Sequence, residues 1–402
     1  TVLSFPPVIG TELGPAVTQG APDPPGDPAP RSGLSVVSRL LWPGVGRMAI
    51  EEARRLPASL LVYRESGKPV PYDLTGIPYR YLRRRGQAGR WTPILSYVTQ
   101  RFNPGRGPDA TVDLDLILSA SREVQGPALF HDQFAGLTGW IRKLRSGYPY
   151  ALYLHETALG DPTGGVMSTR SRWANAAVRR FDRSVLRGAR LVLTNSVTNQ
   201  RLLAAEGINA EVLYPGCEPD PSLSAPREPI ALATSVWEPT RQMEFYAELA
   251  RRTKARVVLA GMWARPEDLD AFRRRFGTRP ETTGPIVEAD LVRLSRRASV
   301  YVRFGFGERG PGQGGIQAMG FGLPVIANRE LAIAEIIEDG VDGFVVGTAA
   351  EAAERIDGLL DDPAALRRMG AAAWAKSQTL SWTAHADRLR MLLRRAGIDP
   401  GD

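Results

Sequence analysis

Short apolar runs of strand length alternate with amphipathic stretches along this sequence, and the alternation starts twice. In the first half, Leu34–Ser38, Leu60–Tyr63, Leu114–Leu118, Ala128–Phe130, Ala151–Leu154 and Leu191–Leu193 read as strands. Arg47–Leu56, Ser171–Arg187 and Asn199–Glu206 read as helices between them. Strands interleaved with helices imply a parallel sheet covered on both faces. The rhythm breaks at Pro221–Pro229 and resumes with strands Ile230–Thr234, Ala255–Ala260, Val300–Arg303 and Pro324–Ala327. Helices are expected at Arg241–Thr253, at Glu288–Ala298, up to Phe321, and from Ala350 onward. A chain of 402 residues has the length for two domains, which the break places near residue 220. The expected architecture is α/β, as two Rossmann-like halves without a visible sequence repeat.

Composition removes several function classes. A hydrophobic fraction of 43% with 23% charged residues is that of a globular protein. The longest apolar run, around Val257–Ala260, is strand-sized, so no membrane-spanning segment is expected. Cys217 is the single cysteine and there are three histidines, which argues against an intramolecular disulfide and against a Cys- or His-built metal site. Residues 1–31 hold eight prolines and read as an extended arm, not as a signal peptide. Together these features lead to the expectation of a cytoplasmic protein with no metal.

The net charge of +8 is uneven: residues 1–215 carry +9 and residues 216–402 carry −1. The basic groups cluster at Arg83–Arg85, at Arg142, Lys143 and Arg145, and at Arg179, Arg180, Arg183 and Arg187. An anionic partner for the first half is therefore expected. No nucleic-acid-reading module accompanies these clusters, so nucleic acid is the disfavoured choice.

The chemistry concentrates between Phe304 and Ala327, where six glycines fall within Gly305–Gly315 and lead into the helix-forming Ile316–Met319. A glycine loop entering a helix lets backbone approach a ligand, and the unpaired N–H groups at the helix start attract phosphate. The loop comes late in its half, whereas a dinucleotide fingerprint opens the first unit of its domain, so an NAD enzyme is disfavoured.

The segment Gln317–Ile326 (QAMGFGLPVI) resembles the "E-A-M-A-x-G-x-P-V-I" segment of retaining GT-B glycosyltransferases of glycosyltransferase family four. Glu335–Val345 resembles the family segment that follows. Leu191–Ser196, Val212–Gly216, Ala233–Arg241 and Leu380–Trp382 fall in the family's order. The resemblance covers about residues 33–396 and is densest in the second half.

It implies a GT-B fold with two Rossmann-like domains facing a cleft. The boundaries expected are an arm at 1–31, an acceptor domain at 32–220, a nucleotide-sugar domain at 221–382, and a C-terminal helix at 383–402 crossing back to the first domain. The implied reaction moves a sugar from a nucleoside-diphosphate donor, with retention and without a metal, to a glycan, lipid-linked or small-molecule acceptor. The donor is a substrate, so no resident cofactor is expected. An anionic membrane surface is the implied docking partner, on the inner face of the cell membrane.

Site residues follow from the same resemblance. Arg241 is the candidate cation for the diphosphate, because the usual family arginine is replaced by Ser235 or Val236. Gly310, Gly312 and Gly314 cradle the donor, and Gln317 stands where the family has its second glutamate. Glu308, one position before the first glutamate of that pair, at which this chain has Arg309, is with His155 and Arg241 a candidate catalytic residue. His155, at a strand end, is the candidate for contact with the donor sugar, and His131 is a candidate for the acceptor side. Gly44 and Gly46 stand in for an acceptor-side glycine loop. The altered glutamate pair keeps open two alternatives: a GT-B-fold protein that has lost or changed its catalysis, and a basic protein that binds anionic surfaces.

Overall fold

The computed structural model describes residues 33–38, 43–62, 74–81, 120–155 except 125, 159, 172–221, 227–238, and 241–401 except 278 and 306. The N-terminal arm, the apolar run Leu114–Leu118 and the cluster Arg83–Arg85 lie outside the described residues. The chain divides into two compact units. One comprises Thr1–Thr194, Asn199–Val212 and Ala386–Asp402; the other comprises Asn195–Thr198 and Leu213–His385.

The first unit is built on a seven-stranded sheet in which all pairings are parallel, in the order β3-β2-β1-β4-β5-β6-β7. Its strands are β1 (Leu34–Ser38), β2 (Ala58–Val62), β3 (Tyr79–Tyr81), β4 (Ala128–His131), β5 (Ala151–Leu154), β6 (Leu191–Thr194) and β7 (Glu211–Val212). Helices α1 (Pro43–Arg55), α2 (Gln133–Ser146), α3 (Arg172–Gly188) and α4 (Val197–Ala205) connect them. Every residue of β1, β4, β5 and β6 is buried. A parallel strand is covered on both faces, which is why these runs are continuously apolar instead of alternating.

The second unit repeats the plan with six parallel strands in the order β10-β9-β8-β11-β12-β13. They are β8 (Ile230–Thr234), β9 (Arg256–Ala260), β10 (Glu281–Gly284), β11 (Val300–Arg303), β12 (Val325–Asn328) and β13 (Gly343–Val346). The helices are α5 (Met243–Arg252), α6 (Pro266–Phe276), α7 (Glu288–Arg297), α8 (Gln313–Gly320), α9 (Ala349–Asp361) and α10 (Pro363–Thr379); the last helix, α11 (Trp382–Arg395), begins in this unit and from Ala386 onward belongs to the first. Along β9 successive side chains go to opposite faces: Val257 and Leu259 pack with Trp237 and Tyr246, Val258 and Ala260 with Ile316 and Met319.

In both units the chain starts at mid-sheet, winds outward, then crosses back to the other side. The strand order therefore reverses between β1 and β4, and again between β8 and β11. At such a reversal the connections leave in opposite directions and open a crevice at the carboxyl ends of the strands.

Two expectations about the first unit change. The glycine loop expected at Gly44–Gly46 is the first turn of α1, which starts at Pro43 and not at Arg47. Proline at a helix start has its φ already set and lacks only an N–H that would have no partner there. Helix α2, which no apolar run announces, carries Gly136 and Gly139. A Cβ at Gly139 would sit 2.6 Å from the Tyr150 ring and 2.8 Å from that of Phe130. These glycines serve close helix-to-sheet packing, so they do not break the helix.

The buried face of α3 carries a carboxyl group. Asp182 is 4% exposed among Val185 and Leu186, and burial pushes its pKa up to about 7 from 3.8. The folded state then holds a proton that the unfolded chain releases near pH 4. The protonated form contributes stability below that pH, and the contribution is lost as pH rises to about 7. Asp182→Asn is expected to remove this dependence. The stability difference between variant and parent should grow by roughly 3 kcal/mol from pH 4 to pH 7, read from melting curves. A constant difference would show that the carboxyl is not desolvated.

Candidate functional site

At the reversal in the second unit, β8 ends at Thr234 and β11 ends at Arg303. Arg303 donates from Nη1 to the Thr234 carbonyl at 2.8 Å and from Nε to Glu308 Oε2 at 3.1 Å. Its Nη2 also pairs with Glu308 Oε1. Arg241 reaches the same oxygen of Glu308 through Nη1, and its Nε lies 3.4 Å from Glu238. Two guanidiniums from separate segments thus converge on one carboxylate at the carboxyl end of the sheet. The side chains of Arg303, Glu308 and Arg241 are 13%, 19% and 25% exposed, so the cluster is partly shielded yet reachable.

The loop geometry around Arg241 is unusual. The next residue, Gln242, adopts φ 50° and ψ 53° and caps the start of α5. A left-handed conformation at a non-glycine residue costs about 1–2 kcal/mol, and here it turns the chain from the arginine into the helix.

The glycines supply the other wall. Gly312 caps α8 with φ 66°, in the left-handed half of backbone space that glycine enters freely. Gly314 lies in the first turn, directly over a hydrogen bond of 2.9 Å between Thr234 Oγ1 and Tyr301 Oη. A Cβ at 314 would sit 2.4 Å from the tyrosine oxygen and 2.5 Å from the threonine oxygen. The helix start is therefore drawn down onto the two central strands, β8 and β11, from whose ends Thr234 and Arg303 come. Gly310 packs on Asn195, whose amide nitrogen would lie 2.5 Å from a Cβ there. Gln317, one turn into α8, is half-buried.

The first unit holds a second polar cluster at its own reversal. His131 ends β4, and His155 directly follows β5. Nε2 of His131 lies 2.7 Å from Glu52 Oε2, with both side chains fully buried. Nδ1 of His131 lies 3.0 Å from Nε2 of His155. Tyr153 stacks on His155 with ring centroids 4.7 Å apart, and burial together with the Glu52 charge holds its hydroxyl far above the usual tyrosine range. The phenol therefore stays neutral. Asn199 donates from Nδ2 to the His155 carbonyl at 3.1 Å.

Arg241, Glu308, Gly310, Gly312, Gly314 and Gln317 all fall in one region of the second unit; His155 falls in the first. Gly44 and Gly46 belong to a helix. Arg303, Glu52 and the central place of His131 escape the sequence reading. Arg303 left a signal, being a charge at the end of the otherwise apolar Val300–Val302. So did Glu52, which stands one turn after Met48 on α1 and four positions before Leu56, just past its end, both buried. The basic face of α3 is partly neutralised: Arg183 pairs with Glu206, and Arg187 donates to its carbonyl at 2.9 Å. Among the described residues no group of three His, Cys, Asp or Glu is placed to hold a metal ion, and no helix is long and apolar enough to cross a membrane.

The family "Glycosyl transferases group 1" matches residues 240–362. Over 123 residues the chain is 35% identical to the D-inositol 3-phosphate glycosyltransferase of Streptomyces griseus, a stretch that is 30% of this chain and spans only 26% of that relative. Among solved structures, Anabaena HepE in complex with UDP-glucose superposes with a TM-score of 0.68 at 18% identity, covering 90% of this chain and 99% of that one. Sucrose-phosphate synthase from Thermosynechococcus elongatus gives 0.67 at 17% identity, covering 91% and 99%. Residues 240–362 are accordingly a group 1 glycosyl transferase domain, set in a chain with the GT-B fold.

Proposed function

We propose that this protein transfers a sugar from a nucleoside-diphosphate donor to a hydroxyl-bearing acceptor, with retention of anomeric configuration. The observation that carries the reading is the convergence of Arg241 and Arg303 beside the first turn of α8, at the β8–β11 reversal. Charge accumulates on the leaving diphosphate as the glycosidic bond breaks. Placed guanidiniums and the N–H groups of a helix start stabilise it without reorganising. We read the reaction as needing no metal because these groups already supply that positive potential. The UDP and UDP-glucose held by HepE lend support to a donor of this class.

Glu308 has a definite part in this reading. Its carboxylate occupies both arginines, and a diphosphate must displace it to reach them. Glu308→Gln is therefore expected to tighten binding of nucleoside diphosphates several-fold, measured by calorimetry with UDP, GDP and ADP. Weaker binding would show that the carboxylate itself contacts the ligand. Incubation with the matching nucleotide sugars, with and without a chelator, tests transfer, and the anomeric proton coupling of the product tests retention.

The second reading, a GT-B protein that binds a donor without turning it over, has one observation in its favour: the glutamate pair is replaced, with Gln317 in one place and Glu308 engaged by arginines. Binding without transfer to any acceptor would select it. For the acceptor we retain a glycan, lipid-linked or small-molecule hydroxyl. Docking on an anionic membrane surface rests on the arginines of α3.

A further inference from the structure

The last pairing of β11 with β12 joins Arg303 to Ala327, although β12 runs one residue further, to Asn328. Were β11 to continue straight, residue 308 would lie about 16 Å from residue 303, at about 3.3 Å per residue. Instead Glu308 Oε2 is 3.1 Å from Arg303 Nε, so the chain turns back just beyond the strand. Phe304 and Gly305, which make the departure, are buried. Buried N–H and C=O groups that leave a ladder need other partners.

Two side chains on opposite flanks take up all four groups. Tyr246 of α5 accepts at Oη from Phe304 N at 2.9 Å and donates to the Phe304 carbonyl at 3.0 Å. Asn328 accepts at Oδ1 from Gly305 N at 3.3 Å and donates from Nδ2 to the Gly305 carbonyl at 3.1 Å. A phenol has one proton and two lone pairs, and a primary amide carries the donor and acceptor of a peptide. Each can therefore hold both polar groups of one residue. The orientation of the amide follows from its third contact, Nδ2 to Glu330 Oε2 at 2.8 Å, because a carboxylate only accepts. Tyr246 is fully buried and Asn328 is 3% exposed. Burial pushes the Tyr246 pKa up to about 12, so the phenol keeps the proton it donates. Tyr246 also stands in the first turn of α5, the helix that Arg241 precedes. Its hydroxyl thus ties the segment of Arg241 to the segment of Arg303 and Glu308.

We propose that Tyr246 and Asn328 are positioning residues for the two arginines: by gripping the backbone of Phe304 and Gly305 from both sides, they end β11 at Arg303 and turn Glu308 back onto Arg303 and Arg241. The proposal rests on the glycosyltransferase reading for what the arginines bind, but not for the grip itself.

Two variants test it. Tyr246→Phe removes only the hydroxyl. Asn328→Asp keeps an acceptor for Gly305 N, loses the donor, and sets a second carboxylate beside Glu330. Proton–nitrogen correlation spectra of the whole protein without nucleotide read the Arg303 Nε–H, assigned by its loss in Arg303→Lys. In the parent its bond to Glu308 should slow exchange with solvent, and in each variant exchange should quicken about tenfold or more. Arg297 is the control, since its Nε donates to Glu228 at 2.6 Å ahead of β8. Parent-like exchange at Arg303 in either variant overturns the proposal for that residue. Equal quickening at Arg303 and Arg297 also overturns it, as the sign of a merely structural role. Should one variant not fold, the other reads the same bond. Calorimetry with UDP gives the second readout. The several-fold gain in affinity expected from Glu308→Gln should shrink to less than about twofold when Tyr246→Phe is already present, because the displaced carboxylate no longer covers the arginines. An undiminished gain would overturn the proposal. Absence of UDP binding by the parent would instead count against the glycosyltransferase reading, and exchange at Arg303 would still decide the grip.

Discussion

Replacing Arg303 with methionine is expected to weaken nucleoside-diphosphate binding by about two orders of magnitude, measured by calorimetry. Hydrogen bonds to charged groups contribute about 1.5–3 kcal/mol each, and each 1.4 kcal/mol is tenfold in affinity. One guanidinium that makes one or two such bonds to phosphate oxygens accounts for that loss. Methionine keeps the aliphatic stem in place, so the packing at the end of β11 should survive. A competing explanation is that Arg303 acts only by neutralising Glu308, whose carboxylate it binds through two nitrogens. The double variant Arg303→Met with Glu308→Gln separates the two. If Arg303 only shields Glu308, removing both restores binding; if it holds phosphate, the double variant stays weak. As a control, Val236→Ala, at a position that is 40% exposed, should bind as the parent does.

Arg303 also shows what the sequence conveys and what it does not. The sheet strands were readable because a parallel sheet buried on both faces needs uninterrupted apolar runs, and Leu34–Ser38, Ala151–Leu154 and Val300–Arg303 supply them at the observed places. The reversal of strand order, which decides where a crevice opens, leaves no local mark. Arg303 becomes a site residue only because β8 lies beside β11, which brings it to the Thr234 carbonyl 69 positions away. Glu52 and His131 are 79 positions apart for the same reason. Glycines misled in both directions: at Gly44 and Gly46 they imitated a ligand loop inside a helix, and at Gly136 and Gly139 they concealed one. At Gly312 and Gly314 the glycines do mark a helix start, because a positive-φ cap and a close approach to the sheet coincide there. Polar β10, with the sequence ETTG and every other residue exposed, carried no apolar signal to find.

Gly314→Ala is expected to have the largest effect of any single methyl group added in the second unit's site. The new Cβ would meet the Tyr301 and Thr234 oxygens at 2.4 and 2.5 Å, well inside contact distance. Tyr301 is 1% exposed and cannot swing aside, so either the hydrogen bond between the two side chains breaks or α8 lifts from the sheet. Overpacking of this kind costs about 1–3 kcal/mol, and a lost hydrogen bond adds about 1 kcal/mol. For a unit of this size that lowers the melting temperature by roughly 5–12 °C. Lifting α8 also carries its N–H groups away from the arginines, so diphosphate affinity should fall along with stability. Gly312→Ala is the comparison. Its Cβ meets nothing within 4 Å, and its cost is that of the positive-φ, extended-ψ backbone alone, about 1–3 kcal/mol. The decisive variant is Gly314→Ala combined with Tyr301→Phe and Thr234→Ala, which together delete both oxygens that the methyl would strike. Recovery of most of the lost stability and affinity would establish that the helix start is seated on those two hydroxyls. Failure to recover either would show that the seat lies elsewhere.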